Sequence, residues 1–288
     1  MADLAREALI AARRVRVASH TSAESPFCIF DLVQGHYRDQ IDLRFQAAPS
    51  MEGLYVRGDG QPSLIILSSL RPDGRQRMTC AHELGHHEFG HGTSLDALVD
   101  EQGDQRFDPT EFLADSFACF LLMPKLAMLK AFAERGIRAD SASPFDIYRV
   151  ACVFGVGYAS LVQHLSRSLG MLSAGRAAEL RRTSPKEIRE QILGIPTAGA
   201  LHVVDAEWRG RAIDLHVGEH VLLPQSTLIE GDNIEHRADR MEGGLYEAVR
   251  PGISRIEHHA TAMANYVRVS RAAYEGRAMF RHEEDCDE

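Results

Sequence analysis

RQRMTCAHELGHHEFGH, residues 75–91, reads as a helix that two glycines, Gly90 and Gly92, bring to a stop. Within it His82 and His86 stand four residues apart and project from one face, the spacing that lets two imidazoles share one zinc ion. Glu83 then stands beside such an ion. There a carboxylate can take a proton from water, whose pKa the ion lowers to about 7, and deliver it to a leaving amine. The other reading of the pattern is a helix with two surface histidines. His87-Glu88-Phe89-Gly90-His91 repeats HExxH five residues on. Five residues rotate a helix by about 140°, so the two pairs face different ways and only one is the site. The second pair runs through Gly90 to a histidine before Gly92, where the helix should fray. A metal needs ligands on a rigid element, which selects His82 and His86 and leaves His87 and His91 as solvated or rim residues, either of which could contact substrate.

A catalytic zinc takes three protein ligands and keeps a position for water. Glu111 is the candidate third ligand, with Asp115 four residues later on the same helix face. An Asp there can accept from the free N–H of a ligand histidine and fix its tautomer. Asp108 and Glu111 also have the spacing of a capping box, in which Glu111 would only satisfy the helix start. At this point both readings stand.

Outward from this stretch, the chain is an α+β multidomain protein. Residues 1–20 read as a helix and 26–37 as a shorter one, followed by three strand-like runs, 41–47, 53–57 and 63–70, of one small sheet. A polar acidic loop, 93–107, leads to the helix that begins at Pro109 and ends before Pro124. Residues 125–193 are helical in pattern. After Pro196 come seven short β-type runs, at 201–208, 211–217, 220–224, 226–230, 244–249, 253–259 and 265–270, and then an acidic tail, HEEDCDE. Three domains follow: 1–124 around the HExxH helix, 125–197 helical, and 198–288 mainly β.

The 288 residues are 44% hydrophobic and 25% charged, a globular composition. No stretch approaches 18 consecutive apolar residues and the N-terminus lacks a signal-peptide core, which reads as a soluble, cytoplasmic protein without a membrane partner. Five cysteines, odd in number and without a CxxC pair, read as reduced, mostly buried thiols. The net charge of −9 excludes bulk coating of nucleic acid. It is unevenly spread: −7 in residues 1–124, +5 in 125–200 and −7 in 201–288.

These residues resemble the ImmA/IrrE metallopeptidases. The likeness lies in the lead Arg75-Gln76-Arg77-Met78-Thr79-Cys80-Ala81 into His82-Glu83-Leu84-Gly85-His86, in Glu111-Phe112-Leu113-Ala114-Asp115-Ser116-Phe117-Ala118, and in Leu121-Leu122-Met123-Pro124. It spans about residues 25–170. The resemblance implies a thermolysin-like minimal zincin domain, Zn²⁺ as the metal, His82, His86 and Glu111 as its ligands, Asp115 as the partner of a ligand histidine, and Glu83 as the catalytic residue. It further implies an intracellular endopeptidase that cuts an Xre-type helix-turn-helix repressor and so derepresses stress-response or mobile-element genes. The radiation-response branch of the family looks to end in a GAF-like sensor domain, which needs helices flanking its sheet, whereas residues 200–288 here read as almost entirely β.

Residues 147–165 carry helix-turn-helix spacing in Ala151, Gly155 and Leu161, inside the basic segment. Ser160, Gln163, His164, Arg167 and Ser168 are the polar side chains such a second helix would offer to DNA, and a plain helical hairpin fits the same residues. A basic helix over 174–193, with Arg176, Arg181, Arg182, Lys186 and Arg189, is a solvated face or a docking surface. The seven histidines after residue 200 fit no compact metal motif and read as scattered surface residues. Against the peptidase stands a second reading, a zinc-containing regulator that binds DNA or a partner through residues 140–193 without proteolysis. His87, His91 and Arg77 are the candidates nearest the site for stabilising an oxyanion.

Overall fold

The computed structural model describes the chain except residues 98–106, 197–198, 210, 241–242, 262 and 284–288. Cys286, most of the acidic tail and most of the loop 93–107 thus lie outside the described residues. The chain falls into two compact units, Met1–Pro124 with Ala273–Arg281, and Lys125–Ala272 with His282–Glu288.

The first unit holds α1 (Ala2–Ala18), α2 (Ile29–His36), β1 (Ile41–Gln46), β2 (Met51–Val56), β3 (Ser63–Ser68), α3 (Asp73–Glu88), β4 (Ser94–Ala97) and α4 (Pro109–Leu122). Period-two alternation makes β1 a half-buried strand: Ile41, Leu43 and Phe45 face the core between the less buried Asp42, Arg44 and Gln46. It pairs parallel with β3, which pairs antiparallel with β2, and β2 pairs antiparallel with β4. The other edge of β1 receives a two-residue strand, Gly276–Arg277, from near the end of the chain. Helix α3 packs on β2 and β3, and α4 packs on α3 and α1.

By length and composition Pro109–Glu134 qualifies as a candidate membrane span, which the count of consecutive apolar residues had not suggested. Pro124 interrupts it, and Leu113, Ala114, Phe117, Ala118, Leu121 and Leu122 of α4 are buried in the first unit. Arg16 clips this packing together: buried in α1, it donates through Nε to Leu121 O at the end of α4 (2.8 Å) and lies over the Phe27 ring.

The second unit begins with α5 (Lys125–Glu134), α6 (Pro144–Phe154), α7 (Tyr158–Arg167), α8 (Ala174–Leu180) and α9 (Pro185–Leu193). The basic helix expected over 174–193 is therefore two, because Ser184 closes a capping box with Glu187 and starts α9 anew. Helices α6 and α7 meet at 99° across Gly155, whose φ of +62° is the left-handed value a Gly accepts freely. His164, offered by the sequence as a polar reader, is buried, whereas Gln163, Arg167 and Ser168 are exposed.

The strands of this unit are β5 (Leu201–Val203), β6 (Ile213–His216), β7 (His220–Leu223), β8 (Leu228–Glu230), β9 (Ile234–Arg240), β10 (Gly243–Ala248), β11 (Gly252–His258) and β12 (Met263–Ser270); Gly276–Arg277 of the first unit is β13. They form two four-stranded sheets, β5-β7-β10-β9 and β6-β12-β11-β8. Tyr148 of α6 donates to Leu201 O (2.6 Å) and Arg211 Nε to Val153 O (2.8 Å). Helical and β regions are tied in this way into one unit, with no division at 197/198, and residues 273–281 group with the first unit instead of the β region. Nor are the histidines here all on the surface. His202 and His216 flank Glu219 at 3.6 and 3.4 Å; burial pushes that carboxyl up, but hydrogen bonds from the two imidazoles outweigh it and hold it well below the usual range.

Candidate metal centre

Two helices of the first unit build the site, and the sequence of each explains its placement. In α3, His82, Glu83 and His86 are all buried. Between them Gly85 leaves room for α4: a Cβ there would lie 3.0 Å from Ala114 Cα and 3.2 Å from Phe117 Cδ1. The absence of that methyl lets α4 come close enough for its first turn to face His82. Asp108 is the N-cap of α4, accepting from Thr110 N–H at 2.8 Å, with Pro109 in the first helical position. Capping by Asp108 leaves the Glu111 carboxylate available for another task.

That carboxylate lies 3.2 Å from His82 Nε2 and 3.6 Å from His86 Nε2, and the two Nε2 atoms are 3.0 Å apart. The three groups could hold one metal ion. Tetrahedral ligands at bonds of about 2.0–2.1 Å stand about 3.3 Å from one another, so the observed separations bracket the spacing such an ion requires. Electrostatics favour the ligand forms. Burial, and after it the proximity of His82, lowers His86 to about 4, which leaves its imidazole neutral and able to bind a cation near pH 7. The close contact with His82, and after it the charge of the two histidines, holds the Glu111 carboxyl below its usual range.

Asp115 Oδ1 sits 2.9 Å from His82 Nδ1, on the ring edge opposite Nε2. This contact orients His82 with Nε2 toward the donor cluster, as a carboxylate does behind a ligand histidine. Glu83 has no solvent exposure, and its Oε2 accepts from Ser94 Oγ (3.2 Å) at the start of β4. On its other side is Gly53 of β2, where a Cβ would come within 2.7 Å of Glu83 Oε1 and 2.4 Å of Thr79 Cγ2. The carboxylate therefore occupies a slot between two strands that only a glycine leaves open.

Residues 38–166 match the family model of the IrrE N-terminal-like domain, peptidase family M78. This segment belongs to the ImmA/IrrE family. No curated protein matches the chain. The ImmA/IrrE match contains both helices of the donor cluster and assigns the segment to a family of metallopeptidases.

Within the ImmA/IrrE segment the second HExxH has a different use. His87 is no rim residue: its Nδ1 is 3.2 Å from Tyr55 OH, and its ring meets Tyr37 and Tyr55 edge-on. Glu88 accepts from Tyr37 OH at 2.7 Å. Arg77 is buried in an ion pair with Asp73 (2.7 Å), and its Nη1 donates to Cys28 Sγ. His87 and Arg77 are thus engaged in packing rather than poised for an oxyanion. His91 has its Nδ1 2.9 Å from His86 Nδ1, behind the ligand. Gly53 and Ser94 were not legible as site residues, and His91 was legible only as a rim or oxyanion candidate, not as a partner of His86. Their contacts depend on strand pairing and a turn, for which spacing along the chain carries no signal.

Proposed function

We propose that this protein is a zinc-dependent endopeptidase that acts inside the cell on an Xre-type helix-turn-helix repressor, cutting it and so releasing stress-response or mobile-element genes. The observation that carries this is the donor set His82, His86 and Glu111, two imidazoles and one carboxylate at ligand spacing, beside the enclosed Glu83. Nitrogen and carboxylate donors in that ratio suit zinc. When bound, the ion supplies Lewis acidity to the scissile carbonyl and to the attacking water. Glu83 takes the proton that water loses and passes it to the leaving amine. Ser94 and the Gly53 slot hold the Glu83 carboxylate in one orientation during both transfers. Asp115 keeps the His82 proton on Nδ1 and so frees Nε2. The repressor as substrate rests on the family resemblance and not on this geometry.

Purified protein with zinc and candidate repressors should give one defined cut, and Glu83→Gln should abolish it while retaining the metal. Cutting by that variant at the parent rate contradicts the proposal. One observation favours the regulator reading, the 99° meeting of α6 and α7 with Gln163 and Arg167 exposed. It requires a sequence-specific DNA shift at moderate salt that survives Glu83→Gln; the burial of His164 leaves that helix few side chains to read bases.

A further inference from the structure

The end of the HExxH helix is ordered, not frayed. Helix α3 closes at Glu88, and Gly90 follows with φ +66°, the left-handed conformation that favours glycine. Gly90 N–H donates to His87 O (3.1 Å) and His91 N–H to His86 O (2.9 Å), the paired bonds of a Schellman cap. The residue this cap folds back against the helix is His91, and the backbone it is bonded to belongs to His86. The side chains repeat the pairing, with Nδ1 to Nδ1 at 2.9 Å. Behind it, the Phe89 ring lies stacked on the His91 ring at 24° and 5.7 Å.

We propose that this cap is a positioning device for the candidate metal ligand His86, with His91 as the residue that holds its ring; the inference rests on the metal-centre reading above. The chemistry follows from the two nitrogens. For His86 Nε2 to offer its lone pair to a cation, the proton of the neutral ring sits on Nδ1. His91 Nδ1 is the acceptor for that proton, so His91 carries its own on Nε2. The two ligands are then held unequally, His82 by the carboxylate of Asp115 and His86 by a neutral imidazole. His91 is a positioning residue: it touches the ligand on the edge away from the donor cluster. Gly90 is part of the same device, because a side chain there strains the turn that delivers His91.

The test is zinc affinity of the metal-depleted full-length chain, measured by competition with a chelating dye, together with the visible absorption of the Co²⁺-loaded protein. His91→Ala should weaken zinc by about ten- to a hundredfold and shift the Co²⁺ band. His91→Asn, whose Oδ1 can take the place of the Nδ1 acceptor, should restore most of both. Gly90→Ala should weaken zinc, and His91→Ala added to it should cost less than it does alone, since the two break one tether. Equal zinc affinity in His91→Ala and the parent overturns the inference, as does equal loss in His91→Ala and His91→Asn, which would mark His91 as a mere cap residue. The reference is His86→Ala. If the parent binds zinc no better than this variant, the metal-centre reading itself fails. If the parent binds and His86→Ala does not, an unaffected His91→Ala removes only the positioning role.

Discussion

Gly53 has no side chain at the one place where a methyl would meet both Thr79 and the Glu83 carboxylate. Gly53→Ala should therefore displace Glu83, destabilise the protein by about 1–3 kcal/mol through overpacking, and depress cutting more than zinc binding. Thermal melting and a parallel zinc titration separate the two effects. His86 provides a second check. Its proton affinity is lowered by burial first and by His82 second, to about 4 against an ordinary 6.5. An unfolded chain takes up that proton near pH 6.5 and the folded, metal-free protein refuses it until about pH 4, so stability should fall as pH drops through this window. Glu111, held low by its contact with His82, acts in the same sense at the acid end. Urea unfolding of the metal-free protein at about pH 7 and about pH 5 should show the loss, and His86→Gln should flatten it. His82 and His86 were legible because one helical turn brings residues four apart onto one face, whereas spacing left Glu111 open between ligand and helix cap, and only the family resemblance singled it out with Asp115. The slot around Glu83 was not legible, since its walls come from β2 and β4, 30 residues earlier and 11 later.

At the scale of elements, α3 and α4 are a pair made possible by Gly85 and oriented by the cap at Asp108. Asp108→Ala should fray the first turn of α4, where Glu111 sits, and weaken zinc, though less than Glu111→Ala does; dye competition on the two variants reads the order directly. The first three strands were legible from β-branched runs between turn residues, and α6 with α7 from apolar spacing around Gly155. Strand β4 was hidden because four residues in a polar stretch carry almost no periodic signal, and it is recruited by the exposed edge of β2. Strand β9 was missed for a related reason: Glu235, His236 and Arg237 are all exposed, so one face has no apolar alternation to betray it.

On the scale of the whole molecule, the division at Pro124 follows a change of composition, whereas the join between helices and strands in the second unit depends on Tyr148, Arg211 and their carbonyl partners, which no local pattern announces. Residues 273–281 are the larger surprise. They give the first unit β13 and place Arg281, buried, over the ring of Phe30. Truncation after Ala272 should lower the melting temperature and open β1 to hydrogen exchange, and unchanged protection of β1 would show that these residues are dispensable to the sheet. The central claim concerns the three side chains at the meeting of α3 and α4, and zinc stoichiometry of the metal-depleted protein by native mass spectrometry tests it most directly. The predicted result is one tightly held zinc per chain, lost in His86→Ala and in Glu111→Ala. A parent chain that takes up no zinc, or variants that hold it as well as the parent does, would contradict it.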